Sequence, residues 1–253
     1  MCDRELIAQR RTIGVRWCLG RDHVPLARAI DMFIGHYSVS FAAKSADPSI
    51  PLWVLFIAVQ LLDVLWAPFV LSGIEKVRIV PGITASSPLD LYYMPYTHSL
   101  PAALLWSVGA ALAYRLLTRR RPAGKGPLWI ALAVFSHWVL DFVVHRPDLP
   151  LFDNTAKVGL GLWNAPAVAL ALEVALLVAG MWMYLRTSEA RRLPMAIFGL
   201  IMLAVHLYAF FGAPPESDKA IALTALGFYL VLAAVVWRIE RPEPSAARNR
   251  NAA

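Results

Sequence analysis

The stretch LWIALAVFSHWVLDFVVH, Leu128 to His145, has no lysine or arginine and a single carboxylate. An α-helix needs roughly 20 mostly apolar residues to cross a bilayer, so the stretch reads as a membrane span. An ionisable side chain inside a span costs about 2.5–3.5 kcal/mol on insertion scales. This one carries His137, Asp141 and His145. They are spaced i, i+4, i+8, which at 100° per residue keeps them within an arc of about 80° on one helix face. By that spacing one helix presents two or three ligands to a metal ion. The plainer reading is that Asp141 pairs with a protonated histidine and both line a wet crevice.

Five more stretches resemble this one in length and apolarity: Leu52–Gly73, Tyr96–Leu117, Val158–Leu185, Leu193–Gly212 and Ala220–Trp237. Proline, glycine or charge bounds each, and Pro and Gly punctuate helices. Across all 253 residues, 58% are hydrophobic and 16% charged. Soluble domains have roughly 45–50% and about 25%. With a mean hydropathy of +0.56, this excludes an ordinary soluble enzyme and a disordered tail. Cys2 and Cys18 suggest no disulfide framework. The predicted fold is all-α: a polytopic membrane protein with about six transmembrane helices plus a short re-entrant or interfacial N-terminal helix. Residues 1–31 form a basic arm, 32–238 a single membrane domain and 239–253 a polar tail. Met32 is an alternative start, which would make 1–31 an artefact of gene calling.

The net charge of +7 argues for topology rather than a nucleic-acid partner, because Lys and Arg accumulate in cytoplasmic loops. Basic residues mark the N-terminal arm, the second-to-third loop (Arg115 to Lys125), the fourth-to-fifth loop (Arg186 to Arg192) and the tail. Six spans with both termini cytoplasmic put all four segments on one side. A seventh span at Leu26–Lys44 would move the arm across, so that segment is expected to be re-entrant or interfacial.

Further costly polar residues lie in the spans. Asp63 is deep in the first. His98 opens the second in Tyr96-Thr97-His98-Ser99, where Thr97 or Ser99 also suits a helix cap. His36 follows Gly35 in the re-entrant segment, where a buried structural histidine is almost as good a reading. Under the six-span topology Asp63, His98, His137, Asp141 and His145 all fall in the outer half of the membrane. Three or four N/O ligands with an open position fit a catalytic Zn²⁺ site, and carboxylate-rich sites also suit Mn²⁺ or Mg²⁺. Glu173, mid-span in the fourth helix, is a candidate supporting partner or general base. His206, alone in the fifth span, is expected to pack or bond a neighbouring helix. Arg146 and Asn164 are candidate substrate contacts at the outer surface, where Arg146 can bind an anionic head group and Trp163-Asn164 can floor the site.

Gly35-His36, Asp63, Thr97-His98-Ser99 and Ser136-His137-x-x-Leu140-Asp141 occur in an order that resembles the bacterial inner-membrane family of membrane-bound metal-dependent hydrolases, also described as LexA-binding hydrolases. The resemblance covers about residues 32–185. It implies a polytopic inner-membrane protein in which His36, Asp63, His98, His137 and Asp141 are the metal residues. The chain departs from the family at Tyr93 and Met94, where many members carry His-Arg, and His145 is positioned to replace the lost group.

The expected function is therefore a membrane-embedded metal-dependent hydrolase, acting on a lipid-like or phosphoester substrate in the outer half of the bacterial inner membrane. Membrane lipid is the expected partner and nucleic acid is not. His98, His137 and Asp141 would be ligands, joined by His36 and His145, with Asp63 a ligand or base. Two other classes compete. A transporter would use the Asp and His groups to relay protons or bind substrate, and a non-catalytic scaffold would not need them.

Overall fold

A computed structural model describes residues 34–119, 124–187 and 191–241. The basic arm 1–31, the alternative start at Met32 and residues 242–253 of the tail lie outside the described residues. The described chain is all-helical apart from two small hairpins. It forms α1 (Tyr37–Ala46), α2 (Leu52–Val59), α3 (Leu61–Leu71), β1 (Lys76–Ile79), β2 (Leu89–Tyr93), α4 (Leu100–Leu117), α5 (Gly126–Val144), β3 (Leu149–Phe152), β4 (Thr155–Val158), a 3-10 turn (Leu162–Asn164), α6 (Pro166–Thr187), α7 (Arg192–Phe211) and α8 (Asp218–Glu240).

Helices α4 to α8 are each long and apolar enough to cross a membrane, and α2 with α3 makes a sixth span if the bent pair counts as one. Their outward faces are apolar too: Leu105 is 73% exposed, Leu117 88% and Tyr208 82%. Such a surface is what a bilayer solvates, and in water it would be an aggregation liability. The spans expected from the sequence are thus present, with one change. The first is bent by 54° at Gln60, whose backbone (φ −106°, ψ 11°) interrupts the helix.

The segment expected to be re-entrant is described from residue 34. α1 has 10 residues, which at 1.5 Å per residue covers about half of a 30 Å hydrocarbon core. It is buried among the spans rather than lying at their edge: Ile34, Tyr37 and Phe41 are fully buried. Its start, His36, lies among the intramembrane acids. Its far end turns back into α2 through Asp47–Pro51. Glu240, closing α8, ties that turn down by accepting the Leu52 amide (2.6 Å) and pairing with Lys44 (3.0 Å). Ser40 donates to the Leu55 carbonyl (3.0 Å), so α1 and α2 form a hairpin. α1 also lies along α6. A Cβ on Gly180 of α6 would stand 2.6–3.0 Å from the Ser38 backbone, so this close approach needs glycine.

The two antiparallel hairpins, β1–β2 and β3–β4, were not expected from the sequence, which reads there only as loops. They pack together: Lys157 and Asn154 both donate to the Tyr92 carbonyl, at 2.7 and 3.1 Å. Burial there pushes the Lys157 ammonium pKa down. Beyond β4 the chain closes the end of α5, with Leu160 N bonding Phe142 O (2.8 Å) and Gly161 N bonding His145 O (2.7 Å). These bonds satisfy carbonyls that the last helical turn leaves open. Gly159, at φ +154°, permits the approach, since a side chain there would collide with the His145 and Arg146 carbonyls.

Candidate metal centre

Four elements bring their costly side chains to one place: His36 just before α1, Asp63 from α3, His98 just before α4, and His137 and Asp141 from α5, with His145 at the α5 C-cap. The four histidines and Asp141 are each 5% exposed or less. Asp63, with its side chain 24% exposed, is the most open of the six.

Three of the four imidazoles share a common orientation. The break at Gln60 leaves the Val59 carbonyl where His137 Nδ1 bonds it at 2.8 Å. A carbonyl only accepts, so Nδ1 carries a proton, and Nε2 is left to face the carboxylates. His145 Nδ1 lies 3.0 Å from Asp148 Oδ1, which assigns the same tautomer when that carboxylate is ionised. At His98, Nδ1 is 2.7 Å from Thr97 Oγ1, and Thr97 gives its only hydroxyl proton to Glu75 Oε2 at 2.6 Å. The hydroxyl therefore accepts from His98 Nδ1–H. Glu75 Oε1 also takes the Tyr96 and Thr97 amides, at 2.8 and 2.9 Å. Burial pushes the Glu75 carboxyl above the usual carboxylate range, against the opposing pull of His98 and of the Thr97 and Tyr96 donors. Ser99 caps α4 by accepting the Ala102 amide (3.3 Å), with a proline in the first turn, so the cap and the site coexist at this helix start. Trp138 Nε1 holds the His98 carbonyl at 3.0 Å.

The three Nε2 atoms so directed meet carboxylate oxygens. His98 lies 3.3 Å from Asp63 Oδ1 and 3.6 Å from Asp141 Oδ2. His137 lies 3.3 Å from Asp141 Oδ2 and 3.6 Å from Asp63 Oδ1. His145 lies 3.8 Å from Asp141 Oδ1. Tyr229 of α8 donates to Asp63 Oδ2 at 2.6 Å, which turns Oδ1 to the histidines. His36 Nε2 is 3.3 Å from Asp141 Oδ1, yet neither of its ring nitrogens makes a hydrogen bond and its ring sits 4.3 Å from that of His137. A buried imidazole without a hydrogen bond is costly unless something else binds it. Two donor triads, His36–His137–Asp141 and Asp63–His98–His137, each have their ligand atoms within 4.8 Å of one another and could hold a metal ion. Imidazoles steered through Nδ1, with Nε2 facing carboxylates, suit a divalent ion.

The remaining candidates lie further out. Glu173 accepts the Ile34 amide (3.3 Å) and stands 3.5 Å from His206 Nε2, beside the backbone that leads into His36. His206 thus faces an acid from the neighbouring helix, the kind of contact expected from its sequence. Arg146 is held between Asp90, to which it donates through Nη2, and Asp148 (3.1 Å). It braces the Asp148 that orients His145. Asn164 is exposed on the 3-10 turn. The neighbouring Trp163 is buried and covers His145, ring centroid to ring centroid 4.2 Å. Tyr93 and Met94 lie at the end of β2, and Met94 offers the His98 amide its carbonyl (3.2 Å). Sequence reasoning missed Glu75, Tyr229 and the Val59 carbonyl. Glu75 signals itself only as a lone acid just after a span, and Tyr229 only as a hydroxyl in an apolar helix. The carbonyl leaves no trace in side-chain chemistry.

The chain matches no protein-family profile, no curated protein and no solved structure.

Proposed function

We propose that this protein is a membrane-embedded metal-dependent hydrolase acting on a lipid-like or phosphoester substrate. It would sit in the bacterial inner membrane with both termini cytoplasmic and the site in the outer half. The observation that carries the reading is the shared steering of His98, His137 and His145: each has an acceptor at Nδ1 and an Nε2 facing Asp63 or Asp141. The motif resemblance to membrane-bound metal-dependent hydrolases points the same way. Zinc is the expected ion, with manganese or magnesium as alternatives.

A divalent ion held there supplies Lewis-acid polarisation of the scissile group and acidifies water. The chain's residues do the rest. His98, His137 and Asp141 would hold the ion, with His36 and His145 beside them in the cluster. Asp63, the most open acid, completes the ligand set or takes the proton from the attacking water, with Tyr229 holding its second oxygen. Trp163 covers His145 and limits access on that side. Glu173 positions His36 through the Ile34 amide. Arg146, expected to grip a head group, also braces Asp148.

Purified protein is expected to carry bound metal by elemental analysis and to lose most of it in His137→Ala. Wild type without stoichiometric metal, and His137→Ala indistinguishable from it, would refute the reading. The helix break beside Asp63 favours a second reading, a transporter, because broken helices form substrate sites in such proteins. That reading predicts gradient-driven uptake into vesicles of metal-free protein.

A further inference from the structure

We propose that the cluster holds two divalent ions bridged by Asp141, and that its ligand class is phosphate or a phosphate ester. The proposal rests on the metal-centre reading above, goes beyond it in ion count and narrows its substrate class.

Six side chains converge, whereas one zinc ion takes four ligands, or three with an open position. The donor atoms also fall into two sets. Asp141 Oδ2 faces His137 (3.3 Å) and His98 (3.6 Å), both of which also face Asp63 Oδ1. Asp141 Oδ1 faces His36 (3.3 Å) and His145 (3.8 Å). Ligands about 2.0–2.2 Å from one tetrahedral ion stand roughly 3.3–3.5 Å apart, close to these separations. The two donor triads share His137, and a single imidazole nitrogen serves one ion. The residue that reaches both sets is the carboxylate with two oxygens, Asp141. His36 stands outside the Asp63–His98–His137 triad, and its buried Nε2 faces Asp141 Oδ1 at 3.3 Å. A second ion beside Asp141 Oδ1 satisfies it. His145, outside the family pattern, joins that second set. Two ions about 3.5–4 Å apart clamp the attacking and leaving oxygens of an in-line displacement, and a phosphoryl group has oxygens for both.

The test uses the full-length protein in detergent, loaded with zinc or manganese. Elemental analysis is expected to give two ions per chain in wild type and one in His36→Gln and His145→Gln. Manganese-loaded wild type is expected to show the spectrum of a spin-coupled pair, a readout that does not depend on any variant folding. Equilibrium dialysis with inorganic phosphate is expected to show binding to the two-ion form and at least a tenfold loss in the one-ion variants. One ion per chain with an isolated manganese spectrum would overturn the pair and leave the single-metal reading standing. No bound metal would overturn both. Equal phosphate binding by the one- and two-ion forms would overturn the substrate class.

Discussion

Thr97 shows how a single hydroxyl sets a ligand's chemistry. Its one proton goes to Glu75, so the oxygen accepts from His98 and turns Nε2 towards Asp63. Thr97→Val keeps the shape and removes the relay. Losing such a supporting partner typically costs 10–100-fold in metal affinity. A drop of that size in zinc titrations, with folding retained, is expected, whereas unchanged affinity would mean that His98 is not a ligand steered by Thr97. The Ser136-His137-x-x-x-Asp141 spacing is readable because a helix converts sequence separation into a face. Glu75, 22 residues from Thr97, is not, because a loop and a hairpin intervene and no period links them.

Among the elements, α1 depends most on its surroundings. It is 10 residues long, too short to be stable as an isolated helix, and it is held by α2, α6 and the Glu240 clasp. The closest approach is at Gly180. Its hypothetical Cβ meets backbone rather than a flexible side chain, so Gly180→Ala must push α1 away from α6. Overpacking of this kind typically costs about 1–3 kcal/mol. The expected result is a melting temperature lowered by several degrees in detergent, together with weaker metal binding because α1 carries His36. A variant that melts and binds metal like wild type would show that α1 is not seated on α6. The sequence marks this region as less apolar than a span but does not reveal a half-length helix buried among the others. The bend at Gln60 is equally silent, since Leu52 to Leu71 is apolar throughout except for Gln60 and Asp63.

At the scale of the whole molecule, the two ends of the bundle differ. Both hairpins and the metal centre lie at one end, and the Lys44–Glu240 clasp lies at the other. The distribution of Arg and Lys predicts the hairpin end outside. In a background without Cys2 and Cys18, Phe152→Cys on the exposed end of β3 is expected to react with an impermeant maleimide in intact cells. Leu193→Cys, at the opposite end on α7, is expected to react only after permeabilisation. The reverse pattern would place the site on the cytoplasmic face and remove an outer-leaflet substrate.

Composition and periodicity were enough for the helical spans, the face shared by His137, Asp141 and His145, and the cost of burying Asp63, because these depend on local apolarity and the 3.6-residue turn. Folding in three dimensions settled what those residues meet. It turned α1 into the bundle, broke the first span at Gln60 so that Val59 could orient His137, brought Tyr229 of α8 to Asp63, and set the two oxygens of Asp141 between separate pairs of histidines. Those pairings join residues up to 166 positions apart. They follow from how helices pack and where backbone groups are left open, which no local pattern in the chain encodes.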